Sequence, residues 1–171
     1  VQKKYDCIYY GTFRENRSTY FTKYLQNDIY LSTSSKNCKK FKNIDCNPIY
    51  IDKIKWKKEK ETLNLFKYSL YIEDIYTHQV YNHLANRFYE SLFCNCVLFF
   101  DKNCKNTIEK SKILFDNYYY VDSHKELKEK IKETNLNWQE HLENQSKWNI
   151  QALEQKENFK KELKNIIDSL I

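Results

Sequence analysis

Two rhythms of apolar and polar positions alternate along the first 134 residues. Short aromatic and β-branched runs read as strands, and apolar residues recurring every three or four positions read as helices. Tyr5–Tyr10 predicts a buried strand that stops at Gly11. A loop over residues 12–17 follows, with Ser18 placed to N-cap a helix running to about Leu25. Residues 28–32 form a second predicted strand. Residues 33–48 are polar, aperiodic and hold the only proline, and read as loop with one helical turn at most. Ile49–Ile51 is a short strand, and residues 55–66 a helix with Trp56, Leu63 and Phe66 turned inward. Residues 68–72 are the next strand. A loop carrying Asp74, Tyr76 and His78 leads to a helix from near Asn82 to Phe93.

Residues 96–100 are continuously apolar, as a central parallel strand covered on both faces must be. A weak helix over residues 103–114 and a strand over 117–121 come next. Ser123 and Glu126 form a capping box, opening a helix that turns Leu127 and Ile131 inward. From residue 135 no strand is predicted. Trp138, Leu142, Trp148, Ala152, Leu153, Phe159, Leu163, Ile166, Ile167 and Leu170 recur with a period near that of a helix. This reads as a helical tail broken near Glu157 and returning over the domain. Strands alternating with helices make an α/β domain with a mostly parallel sheet and helices on both faces. Such sheets bind ligands beyond the carboxyl ends of their strands, which singles out the loops over residues 11–18 and 73–87.

Composition changes this picture in few places. The 171 residues carry 29 Lys and Arg against 23 Asp and Glu, a net charge of +6 that suits an anionic partner or a solvated lysine face equally well. Abundant Lys, Asn, Tyr and Ile are what an A+T-rich coding sequence yields, so the exceptions say more. Only Arg14, Arg17 and Arg87 are arginine, all in or beside the two singled-out loops, and the guanidinium fork grips phosphate oxygens in pairs. The longest apolar run is far short of the ~20 residues of a membrane helix, so no membrane partner is expected. No secretory signal follows Val1, and the absence of an initial Met points to sequence removed or lying upstream. The six cysteines match no zinc spacing, Cys94 and Cys96 being two apart, and read as reduced thiols.

Within residues 11–17, Gly11 permits a sharp strand exit, Thr12 offers a hydroxyl and an N–H, and Arg14 and Arg17 supply two forks. The plain alternative is a basic surface loop. In Arg87-Phe-Tyr-Glu90 the arginine and the acid leave one face of a helix, while Phe88 and Leu92 turn to the core. The plain alternative there is a surface ion pair.

The stretch Asp6-Cys-Ile-Tyr-Tyr-Gly-Thr-Phe-Arg-Glu-Asn-Arg17, then Lys39-Lys-Phe-Lys-Asn43, Arg87-Phe-Tyr-Glu90, Asn117-Tyr-Tyr-Tyr-Val121 and Lys125-Glu-Leu-Lys128 resemble the C-terminal half of the phage DNA β-glucosyltransferases, of the GT-B class. The R-x-x-E element is shared widely in that class, and the G-[ST]-F-R loop is more particular. The resemblance implies a Rossmann-like second domain of a GT-B fold over residues 1–134, binding a nucleotide sugar. Residues 135–171 would be helices packing back on it or on a missing N-terminal domain.

The resemblance also assigns a donor site for uridine diphosphate-glucose. Gly11, Thr12, Arg14, Arg17 and Arg87 would hold the diphosphate, Glu90 the ribose hydroxyls, and backbone near Ile54 the uracil. Mg2+ or Mn2+ near the diphosphate is implied too, although no carboxylate cluster demands it. The loop is one residue shorter between its arginines than in the family. The family's tyrosine before the R-x-x-E helix has three candidate matches, Tyr76, His78 and Tyr81, and the loop from Glu73 lacks the glycine of many relatives. The family's catalytic base lies in the N-terminal domain, so no catalytic residue is expected here. The implied protein transfers a hexose, glucose above all, to a modified base in double-stranded DNA, in the cytoplasm of a phage-infected cell. The competing classes are a non-catalytic basic nucleic-acid-binding α/β module and an interaction protein docking through its tail.

Overall fold

The computed structural model describes residues 2–55, 57–81, 83–111 and 113–169, and for residues 145, 146, 148, 149 and 152 the backbone alone. Among the described residues six strands form one all-parallel sheet: β1 (Tyr5–Tyr10), β2 (Ile29–Ser32), β3 (Ile49–Ile51), β4 (Phe66–Tyr71), β5 (Val97–Asp101) and β6 (Tyr120–Val121). Their order across the sheet is β3-β2-β1-β4-β5-β6, so the direction of winding reverses between β1 and β4. That reversal separates the loops after the two central strands and opens a crevice at their carboxyl ends. Cys7 pairs with Tyr68 and Ile8 with Ser69 across it.

Among the described residues seven α-helices surround the sheet: α1 (Ser18–Tyr24), α2 (Ser35–Phe41), α3 (Glu59–Leu63), α4 (Asn86–Phe93), α5 (Lys105–Lys110), α6 (His124–Leu136) and α7 (Trp138–Ser169). Side chains alternate across β1, so Cys7 and Tyr9 join the larger apolar cluster with Phe21, Phe41 and Phe88, while Ile8 joins a smaller one with Leu63 and Phe66. Phe88 is fully buried, edge-on to Tyr71 with ring centres 5.9 Å apart. Removing such a ring costs about 3–5 kcal/mol, and this anchor fixes the helix that carries Arg87.

Several expectations meet their elements. β1 and β3 have the predicted bounds, β5 is buried along its length, and Phe88, Leu92 and Leu127 are buried as read. Ser123 Oγ accepts the Glu126 N–H at 3.1 Å, and Glu126 reaches back to the N–H of Asp122 at 2.7 Å.

Other boundaries differ. Ser18 is the first residue of α1 rather than its cap, because a 3-10 turn over Glu15–Arg17 feeds straight into the helix. The polar stretch over residues 33–48 holds the two-turn α2, capped by Ser34, whose hydroxyl accepts the Asn37 N–H at 3.3 Å. The predicted helix over residues 55–66 shrinks to α3, and Phe66 already belongs to β4, its burial serving a strand. α4 begins at Asn86, not near residue 82, because a π-helical turn over Thr77–Tyr81 uses up the loop before it. The strand read over residues 117–121 is a 3-10 turn and then the two residues of β6. α7 runs unbroken through Glu157 to Ser169, packing on α4, β5 and α6, with Leu153, Phe159, Leu163, Ile166 and Ile167 exposed. Trp56, Asn82, Leu170 and the side chains of Trp148 and Ala152 lie outside the described residues.

Candidate functional site

The crevice at the reversal point is a cleft of about 560 Å3, within the usual ~300–1,000 Å3 of ligand sites. Thr12, Arg14 and Arg17 reach it from the loop after β1, Glu73 and Asp74 from the loop after β4, and Arg87 from α4. Two backbone anchors hold the first loop against β2. Gly11 N–H donates to the Ser32 carbonyl at 3.2 Å, and the Thr33 hydroxyl donates to the Gly11 carbonyl at 2.8 Å. Gly11 has φ +156°, and a Cβ there would stand 3.2 Å from Arg87 Nη1. Absence of a side chain thus lets the arginine lie against the backbone.

Arg87 is wedged between two phenol rings, its guanidinium carbon 5.6 Å from the centre of Tyr9 and 5.5 Å from that of Tyr71. Its Nη2 donates to the Ile72 carbonyl at 2.8 Å and to Glu73 Oε1, while its buried Nε has no hydrogen-bond partner among the described residues. Burial opposes its charge, yet Tyr9 and the Glu73 carboxylate raise its pKa further. The Tyr71 hydroxyl accepts the Ala85 N–H at 2.9 Å, acting as a distant cap for α4. One ring therefore sets both the helix start and the arginine upon it.

Arg17 is buried rather than free. Nη2 donates to Glu73 Oε2 at 2.6 Å, and Nε and Nη2 both donate to Asp74 Oδ2 at 3.1 and 3.0 Å. Asp74 Oδ1 accepts the Thr77 N–H at 3.1 Å and so caps the π-helical turn. Burial would lift the Asp74 pKa, but the Thr77 N–H and Arg17 together hold it below the usual carboxylate range. Arg14 is exposed on the cleft and makes no ion pair among the described residues.

A smaller hollow of about 120 Å3 adjoins the cleft, sharing Thr12 and lined by Tyr10, Gly11, Ser32, Asn37, Lys53 and Ile54. The Ser32 hydroxyl accepts the Ile54 N–H and donates to the Asp52 carbonyl, both at 2.9 Å. That commits the Ile54 N–H internally. Glu90 lines neither hollow. Its Oε2 lies 3.1 Å from the Tyr10 hydroxyl, and burial raises its pKa. Of the three loop candidates, Tyr76 and Tyr81 stand exposed at the cleft rim. His78 is buried, with Nδ1 2.9 Å from Thr107 Oγ1.

The three arginines and Thr12 are thus brought to one cleft, Gly11 and Ile54 to its neighbour, and Glu90 to neither. Glu73 and Asp74 carried no role in the sequence reading. Their signal was two adjacent acids at the carboxyl end of a buried strand, a place where ionised groups need cationic partners. Among the described residues no group of three or more His, Cys, Asp or Glu could hold a metal ion, and both cleft acids are committed to arginines. These side chains do not form a cation site of their own. No helix among those residues is long and apolar enough to cross a membrane.

The all-parallel six-stranded sheet with helices around it matches the fold of GT-B glycosyltransferases. No family model and no curated protein matches the chain by sequence. Among solved structures, it is similar to a crystal structure of the DNA-modifying enzyme β-glucosyltransferase, described with and without its substrate uridine diphosphoglucose. The TM-score is 0.77 at 23% identity, covering 98% of this chain and 53% of that one. It is similar also to T4 phage β-glucosyltransferase in complex with its UDP-glucose substrate (TM-score 0.70, 22% identity, 94% and 49% covered). The same phage enzyme in complex with UDP and Mn2+ matches with TM-score 0.68 at 21% identity, covering 94% of this chain and 48% of that one. The chain spans about half the length of the structures it matches.

Proposed function

We propose that this chain is the nucleotide-sugar-binding half of a glycosyltransferase that moves a hexose, glucose above all, from a uridine diphosphate donor to a modified base in double-stranded DNA. One observation carries the reading. At the crevice where the sheet reverses, Thr12, Arg14, Arg17 and Arg87 line one cleft, in a fold whose solved neighbours were crystallised with UDP-glucose and UDP. The diphosphate lies in the cleft, where cationic groups neutralise charge that grows on the leaving nucleotide. The base lies in the smaller hollow against the Ile54 carbonyl, with Gly11 and Thr12 at the junction. Glu90 takes the ribose hydroxyls through its carboxylate, whose Oε2 already accepts from the Tyr10 hydroxyl. The general base comes from a further N-terminal domain, against which the exposed face of α7 packs.

Isothermal titration of the chain with UDP tests this. Binding is expected, weakened about tenfold by Arg14→Ala, because a charge-assisted contact is worth roughly 1.5–3 kcal/mol. No binding at millimolar UDP by a folded chain overturns the reading. Duplex DNA binding with a steep salt dependence and no response to nucleotide points instead to the basic module.

A further inference from the structure

Glu73 divides its carboxylate between two arginines from different parts of the chain. Oε2 accepts from Arg17 Nη2 at 2.6 Å and Oε1 accepts from Arg87 Nη2, with the side chain 1% exposed. One oxygen on each of two guanidinium groups is the arrangement that neighbouring phosphoryl oxygens would adopt there. Asp74 differs, because its second oxygen is tied to the Thr77 N–H in its own loop. Among the described residues the Glu73 carboxylate accepts hydrogen bonds from these two arginines alone, so it is the two cations that hold it in place.

We propose that Glu73 is an internal counter-ion that occupies Arg17 and Arg87 in the empty cleft and sets how strongly the cleft holds a pyrophosphate-type anion. An entering anion must either displace the carboxylate, leaving it poorly solvated, or share both guanidinium groups with it. Each route costs free energy, and the cost grows with the charge of the ligand. Arg14, exposed and without an ion pair among the described residues, attracts such a ligand without first giving up a carboxylate partner. Applied to a nucleoside diphosphate, a use that rests on the reading above, the effect has a direction. UDP with its terminal phosphate ionised carries one more negative charge than its sugar ester. Glu73 therefore weakens the spent nucleotide more than the donor, and eases its departure.

Calorimetric titration of wild type and Glu73→Gln with inorganic pyrophosphate, UDP and UDP-glucose tests the proposal, with circular dichroism to establish folding. The variant is expected to bind pyrophosphate about tenfold more tightly, and to gain more for UDP than for UDP-glucose. Equal or weaker pyrophosphate binding in the variant overturns the counter-ion role, as does failure of both proteins to bind it at millimolar concentration. Equal gains for the two nucleotides overturn the charge discrimination. A pyrophosphate gain with no UDP binding in either protein supports the counter-ion and removes the nucleotide reading. UDP bound alike by both does the reverse. Should Glu73→Gln not fold, Glu73→Asp decides: its charge is kept but its reach is too short for both arginines, so a gain supports the proposal and no gain overturns it.

Discussion

The backbone of Gly11 lies directly over the guanidinium of Arg87, so close that a Cβ would stand 3.2 Å from Nη1. Gly11→Ala must push the arginine from between Tyr9 and Tyr71 or bend the exit of β1, at a φ of +156° that L residues rarely adopt. A loss of about 1–3 kcal/mol in urea unfolding is expected, together with weaker UDP binding. Unchanged stability would show that the contact relaxes without cost.

Arg14 and Arg17 should separate binding from stability. Arg17→Ala leaves Glu73 and Asp74 buried without one of their cations, and should destabilise the fold by about 3 kcal/mol or more. Arg14→Ala touches no ion pair among the described residues and should leave the melting midpoint in place while lowering UDP affinity. Thermal melts and titrations of both variants check the contrast, and equal melting losses would contradict it.

Stability should fall on mild acidification. Burial lowers the pKa of His78 and of His141, whose Nδ1 lies 2.7 Å from the Tyr119 hydroxyl. In the unfolded chain both titrate near ~6.5. A lowered native pKa means that the unfolded state binds more protons in this window. Stability is then fully present above the unfolded value and is lost as pH falls through the native one. Glu90, with its raised pKa, acts in the opposite sense and nearer the carboxylate range. Urea unfolding between about pH 7.5 and about pH 5.5 should show the decline, and His141→Gln should flatten it.

The outer half of α7 should be silent in the isolated chain. Leu163 is 46% and Ile167 49% exposed, so replacing both with Ser removes little packing. The expected change in stability is within about 0.5 kcal/mol per site by thermal or urea unfolding. A much larger loss would mean that these side chains pack on the domain.

Strands with strong local character were readable in advance, and so were the two loops of the crevice. β1 is aromatic and β-branched and stops at the only glycine, so its bounds follow from the run alone. α2 escaped because only Phe41 of its seven residues is buried, which leaves no period to detect, and its Ser34 cap sits among other polar residues. Leu63 and Phe66 are three apart, as on a helix face, yet they lie on either side of a turn from α3 into β4. Long-range pairing of β4 with β1 overrides local preference there. Within the cleft, residue types and sequence spacing placed the arginines on the correct edge. Neither could reveal that Arg17 turns inward to two acids more than fifty positions away, since that depends on the crossover between β1 and β4.

The sheet ends in three residues at β3 and two at β6. So little backbone is left open at either margin that a neighbouring molecule has almost no ladder to extend. Strand-by-strand growth into fibrils lacks a starting template in the native state, and larger assemblies of this chain must be built through helix and loop side chains.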